Sequence, residues 1–155
     1  MSIDARLTEL GIVIPESTPP VANYVTARQS GKLLFLSGHL GKRDGAVVTG
    51  RLGEDVDTDT GYDLARSAAI DLLGTARAAL GTLDTVAVVK LTGFVQSGST
   101  FTGQPAVVNG ASDLLVAVFG QERGRHARSA IGVAQLPLGA AVEIEAIFEV
   151  VGTPA

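Results

Sequence analysis

Apolar positions recur with helical spacing in two long stretches of the chain and alternate with polar ones in several shorter runs. Between Thr58 and Leu80, Ala65, Ala69, Leu72, Leu73, Ala76 and Leu80 form one face of a 3.6-residue period, which predicts an amphipathic helix. Asp57, Asp59 and Asp63 suit the positive end of its dipole, and Gly81 suits its stop. A second helix is predicted over Thr102–Phe119, with a threonine as cap candidate, Pro105 in the first turn and Gly120 after the last residue. The run from 142 to 150 alternates strictly. Val142, Ile144, Ala146, Phe148 and Val150 point one way, and Glu143, Glu145, Ile147 and Glu149 the other. Thr85–Val95 and Ala127–Leu136 read as further strands, and Pro137-Leu138-Gly139 as the turn before the last strand. Asn23–Ala27 and Lys32–Leu36, around Gln29-Ser30-Gly31, predict a hairpin.

The order β-β-α-β-α-β-β predicts an α+β two-layer sandwich, with both helices on one face of a sheet of about five strands. Ser37–Val56 is rich in glycine and reads as an irregular loop with one short strand at Ala46–Val48. Residues 1–20 are expected to form an extension. It has a short helix capped by Ser2 and ended by Gly11, then a Pro15–Pro20 connector, ahead of a single domain over 21–152. Strand Thr85–Val95 carries apolar residues on both faces: Val86, Val88 and Phe94 against Ala87, Val89, Leu91 and Val95. Helices on one side leave the other needing a cover, either a second copy of the chain or the N-terminal extension.

Composition narrows the function. With 46% hydrophobic and 18% charged residues, the chain is built to bury a core. No apolar run approaches the 20 or so residues of a membrane helix, and no basic-then-apolar start marks a signal peptide, so a cytoplasmic protein is expected. A net charge of −4 without a basic stripe argues against nucleic acid as a partner. The absence of cysteine excludes disulfides, thiolate nucleophiles and thiolate metal sites. His39 and His126 stand alone as the two histidines, without ligand-like neighbours, and both are expected in loops. No structural metal site is expected.

One residue is out of place. Arg128 interrupts a strand whose same-face neighbours are Ala130, Gly132 and Ala134. A guanidinium among small side chains needs an anion and has room for one. That anion is either a ligand carboxylate or an internal one, Glu143 or Glu145 of the neighbouring strand, or a group of a partner chain. Glu143 and Glu145 are equally open: solvent-facing carboxylates of an edge strand, or groups beside a substrate that handle water. Tyr24 and Ser37 are unremarkable alone, and Asn109 is a polar residue in an apolar helix that could bond a loop carbonyl.

Ala127-Arg128-Ser129-Ala130, Leu136-Pro137 and Val142-Glu143-Ile144-Glu145-Ala146-Ile147 together resemble the C-terminal signature of the Rid family, the reactive intermediate deaminases also called YjgF-like. Tyr24-Val25, Leu36-Ser37-Gly38 (with His39 where glutamine is usual) and Asn109 extend the resemblance over roughly residues 21 to 150. The resemblance implies a chorismate-mutase-like fold and a homotrimeric barrel with clefts between subunits. It also implies hydrolysis of 2-imino acids and their enamine tautomers to 2-keto acids and ammonia, without cofactor. Arg128 would bind the substrate carboxylate and Glu143 would handle water. Ser37 and Tyr24 would line the pocket, and Asn109 could bond to the Arg128 region or to the substrate. The alternative is a trimer that binds a small carboxylate and regulates a partner without turnover. Ala130 where cysteine is frequent, His126 near a usual proline, and the longer basic segment Gln121–Arg125 mark a divergent branch.

Overall fold

The computed structural model describes residues 1–152. Its elements are α1 (Ile3–Glu9), β1 (Ala27–Ser30), β2 (Leu33–Leu40), β3 (Lys42–Arg43), β4 (Ala46–Val47), α2 (Thr58–Leu80), β5 (Val86–Gln96), α3 (Gln104–Gly124), β6 (Ala127–Val133) and β7 (Val142–Val150), with a 3-10 turn at Pro137–Gly139 before β7. The principal sheet has the order β1-β2-β7-β5-β6, and β3 and β4 form a separate ribbon. All neighbours in the main sheet are antiparallel except β5 and β6, which α3 joins as a parallel crossover. The two-layer α+β architecture expected from the pattern is present: α2 lies over β2 and β7, and α3 over β5 and β6.

The helix face of the sheet holds the core. Leu34, Leu36, Val86, Leu91, Val95, Ile144 and Phe148 are buried there against Leu72, Leu73, Leu115 and Val118 of the helices. Phe119 of α3 meets Phe148 of β7 edge-on, with ring centroids 6.1 Å apart. Asp57 caps α2 through the Thr60 N–H, and the chain leaves that helix at a left-handed Gly81, the stop its sequence predicts.

Several expectations are corrected. The first strand begins at Ala27, not Asn23, because the register set by the two-residue loop Gly31–Lys32 pairs Ala27 with Leu36; Tyr24 therefore lies in a bend ahead of the sheet. Strand β2 does not stop at Leu36 but continues through Ser37, Gly38 and His39 to Leu40, across a bulge, by pairing with β7. His39 is thus a strand residue facing α2, not a loop residue. Thr102 does not cap α3; Gly103 occupies that position without a side-chain bond, and Pro105 does sit in the first turn. The helix bends at a left-handed Gly120 (φ 77°) and then resumes to Gly124. Strand β6 ends at Val133, three residues early.

The two-sided pattern of Thr85–Val95 has a local cause. A register shift between Val88 and Lys90 changes the phase, so Val86 and Val88 before it and Leu91 and Val95 after it all face the helices. The open face nonetheless keeps apolar groups: Phe35 is 42% exposed and Ile131 43%. The N-terminal extension does not cover them. Ile3, Leu7, Ile12 and Ile14 are buried with the core cluster, Arg6 bonds the Ala117 carbonyl of α3 and Ile14 O accepts from Arg77 of α2, which places this segment against the helices.

Candidate functional site

Arg128 sits on the edge strand β6, in register with Leu91 of β5, which in turn pairs with Ala146 of β7. Leu91 and Ala146 are buried under the helices, so the Arg128 side chain rises on that same face, against α3. There its Nη1 donates to Asn109 Oδ1 at 2.7 Å and to Ser112 Oγ at 3.2 Å. Asn109 and Ser112 are three residues apart and share one flank of α3. The internal ion pair with Glu143 or Glu145, considered from sequence, does not form: among the described residues Arg128 has no carboxylate within 4.0 Å. The two bonds from Nη1 use both of its hydrogens and leave the Nε–H and Nη2 edge of the guanidinium without a partner among the described residues.

Glu143 belongs to a second cluster. It pairs with Phe94 and Leu40 on the open face of the sheet. Its carboxylate lies directly over the Cα of Gly38, where any side chain would collide with Oε1. Burial pushes its pKa above the ordinary carboxylate value, and the neighbouring Glu145 adds to the shift. Ser37 is close by on β2, its hydroxyl donating to the Val25 carbonyl at 2.7 Å. Tyr24, in the bend before β1, is 53% exposed and stands at this end of the molecule. A cleft of about 390 Å³ runs between Arg28, Ser37, Glu145 and Ile147 on the open face. A larger one of about 500 Å³, lined by Arg51, Ser97, Gln104 and Gly132, opens at the far end of β6. Arg128 borders neither.

The five residues singled out from sequence therefore form two groups in one chain. Arg128 and Asn109 touch; Glu143 of β7 lies against Gly38, the residue after Ser37 on β2, and Tyr24 precedes the Val25 carbonyl that holds the Ser37 hydroxyl. Two strand spacings and three residues of β7 separate Arg128 from Glu143, roughly 14 Å between backbones, and the side chains point to opposite faces.

Two polar groups were missed as partners. Ser112 was visible as the residue one turn after Asn109. His126, just before β6, has Nε2 3.0 Å from Ser112 Oγ and Nδ1 2.7 Å from the Gly124 carbonyl. His39 is held in a separate knot: Nε2 is 2.9 Å from Thr75 Oγ1 on α2 and Nδ1 is 2.7 Å from the Ser37 carbonyl. Burial lowers the pKa of both rings. Among the described residues no group of three metal-ligating side chains converges, and no helix is long and apolar enough to cross a membrane.

The protein TCP17 of Trypanosoma cruzi is 50% identical over 149 residues, 95% of this chain and 93% of that protein. The crystal structure of a candidate endoribonuclease from Shewanella oneidensis superposes with a TM-score of 0.91 at 28% identity, covering 97% of this chain and all of that one. RidA from an Antarctic Psychrobacter superposes with a TM-score of 0.55 at 25% identity, covering 87% and 94% of the two chains. Residues 15–150 match the family model described as endoribonuclease L-PSP, so the chain belongs to that family, the L-PSP or YjgF/Rid family.

Proposed function

We propose that the protein hydrolyses reactive 2-imino acids and their enamine tautomers to 2-keto acids and ammonia, in a homotrimer whose intersubunit clefts unite the two groups described above. The observation that carries this reading is the free edge of Arg128. A guanidinium fixed through Nη1 by neutral acceptors, with no carboxylate beside it among the described residues, keeps its Nε–H and Nη2–H pair for a bidentate carboxylate.

Clasped there, the substrate presents its C2 at a fixed position. Water adds to C2 of the imine, the C=N π electrons move to nitrogen, and nitrogen takes a proton. The resulting carbinolamine loses ammonia as its hydroxyl becomes the keto group. The sum is imino acid plus water giving keto acid plus ammonia. Glu143, with its raised pKa, is suited to hold the water, take its proton and return it to nitrogen. Ser37 and Tyr24 line the approach. The work is mostly positioning, consistent with a site that has no strong nucleophile.

Assembly is part of the proposal. Arg128 and Glu143 of one chain face opposite sides of one sheet, and apolar Phe35 and Ile131 stand exposed on the open side. A cyclic trimer that buries those faces together also brings one chain's β6 edge to another's β2–β7 face. If the chain acts alone, the Arg128 group by itself supports the second reading, binding of a small carboxylate without turnover. The family's endoribonuclease description finds less support here, because the net charge is −4.

The test couples a serine or threonine dehydratase to this protein and times keto-acid release with semicarbazide as competing trap. Faster release with the wild type and none with Arg128→Ala is expected. Equal rates with and without the protein, alongside keto-acid binding through Arg128, would leave the non-catalytic reading instead.

A further inference from the structure

The geometry points to His126 and Ser112 as positioning residues that orient Arg128 for its ligand, and to protonation of His126 as the event that loosens that grip. The inference rests on the carboxylate-binding reading of Arg128.

The direction of each hydrogen bond follows from what its partner can do. His126 Nδ1 is 2.7 Å from the Gly124 carbonyl, which can only accept, so Nδ1 carries the ring proton. In the neutral ring Nε2 is then a bare lone pair. Ser112 Oγ, 3.0 Å away, must donate its hydrogen to it. The serine oxygen is left with lone pairs only, and one of them receives Arg128 Nη1 at 3.2 Å. Asn109 Oδ1 takes the other Nη1 hydrogen at 2.7 Å. Backbone carbonyl, imidazole, hydroxyl and guanidinium thus form one oriented chain, whose far end sets the plane of the free Nε/Nη2 edge.

The fold is shaped to deliver that carbonyl. The helix bends at Gly120 and its resumed last turn doubles close to its own earlier turns. A side chain at Gly124 would meet the Leu115 carbonyl and Val116 Cα at 2.7 Å, so a glycine is what lets the segment pass there. The extra length of Gln121–Arg125 thereby acquires a use: it carries His126 to Ser112.

Protonation undoes the arrangement. Imidazolium carries hydrogen on both nitrogens, so Nε2 becomes a donor to Ser112 Oγ, and the serine hydrogen is expelled from the chain. A second positive charge then stands one hydroxyl away from the guanidinium. Burial, and secondarily Arg128 itself, hold the ring below its ordinary value, against the opposing pull of the Gly124 carbonyl. No carboxylate compensates among the described residues. Arg123 is turned to the Asp84 carbonyl, and Asp113, beside Ser112, accepts from the Tyr62 hydroxyl at 2.9 Å. Glu143, with its raised pKa, lies on the opposite sheet face, and His39, also lowered by burial, is held at Thr75 of α2.

Pyruvate, whose carboxylate stays ionised throughout, is the probe, titrated by NMR or calorimetry from pH 7.5 down to the pH at which the same spectra show the His126 ring protonated. Wild type should bind it about five-fold more weakly at the lower pH, the worth of one ordinary hydrogen bond. Ser112→Ala and His126→Ala should bind about five-fold more weakly already at pH 7.5, and kcat/KM should fall by at least that factor. His126→Gln, which keeps an acceptor but gains no proton, should bind at pH 7.5 better than His126→Ala and lose the pH dependence. Long-range ¹H–¹⁵N spectra of the unliganded protein should show the proton on Nδ1. A bare Nδ1, wild-type binding by Ser112→Ala, or an unchanged acid limb in His126→Gln would overturn the inference. If Arg128→Ala itself binds pyruvate as wild type does, the carboxylate-binding reading falls as well; if only Arg128→Ala loses binding, that reading stands and the relay alone fails.

Discussion

Gly38→Ala moves one carboxylate without altering its chemistry. A methyl group at this position would overlap Oε1 of Glu143 and stand 2.8 Å from its Cδ and 3.1 Å from its Cγ, where ordinary contact begins near 3.4 Å. The whole carboxylate must therefore shift by about 1 Å or swing to another rotamer. Glu143 is half-buried and flexible, so the folding cost is that of an off-minimum or alternative rotamer, about 0.5–1.5 kcal/mol. For a domain of this size that is a fall in Tm of under about 6 °C. A displacement of 1 Å at a group that positions water costs on the order of 10²-fold in rate. The dehydratase-coupled assay should then show kcat reduced about 100-fold with pyruvate affinity unchanged, because Arg128 is untouched. Wild-type kcat in Gly38→Ala, with a crystal structure showing the carboxylate displaced, would refute a role for Glu143 in handling water.

Phe148→Ala removes a fully buried ring packed edge-on against Phe119 and should lower stability by about 3–5 kcal/mol, read as a shifted urea midpoint with unchanged m. The raised pKa of Glu143 means that the folded state holds this proton more tightly than the unfolded chain. Its stabilising contribution is present below the ordinary value of 4.5 and is lost as pH rises through the raised one. Glu143→Gln should accordingly be more stable than wild type at pH 7, and the difference should close below pH 4.5 in thermal melts at a series of pH values. Ile131→Glu places a charge on the exposed apolar face and should convert the proposed trimer to monomer in analytical ultracentrifugation while the far-UV spectrum stays native.

The helices were legible because their signals are local and redundant. Period, acidic start and glycine stop agree for Thr58–Leu80, and the observed α2 has those same bounds. The last strand was legible because strict alternation admits one burial pattern. What escaped was set by pairing across the sheet. Ser37-Gly38 looks like a turn, yet β7 extends the ladder past it. The bulge at Val88–Lys90 slips the phase of β5 by one residue, which alternation alone reads as two apolar faces. Of the candidate site, Arg128 stood out by residue type, and the family resemblance supplied Asn109 and Glu143. The contact between Asn109 and Arg128 depends on how α3 lies over β6, which no spacing in the sequence encodes. The bend at Gly120 had a local sign, but the resumption of the helix, and with it the position of His126, did not.

The separation of Arg128 from Glu143 has a consequence that mixing can test. No rotamer carries a glutamate through its own sheet, so if both residues act on one substrate they come from different copies. In a ring of three, each cleft then takes Arg128 from one chain and Glu143 from the next. Arg128→Ala and Glu143→Gln homotrimers should each be inactive. After unfolding and refolding an equimolar mixture, a cleft is intact when the chain giving arginine and the chain giving glutamate are both unaltered at that position. Random assembly satisfies this in about a quarter of clefts, so the mixture should regain about a quarter of wild-type activity. Were both residues drawn from the same chain, every cleft would lack one of them and no activity would return at any mixing ratio.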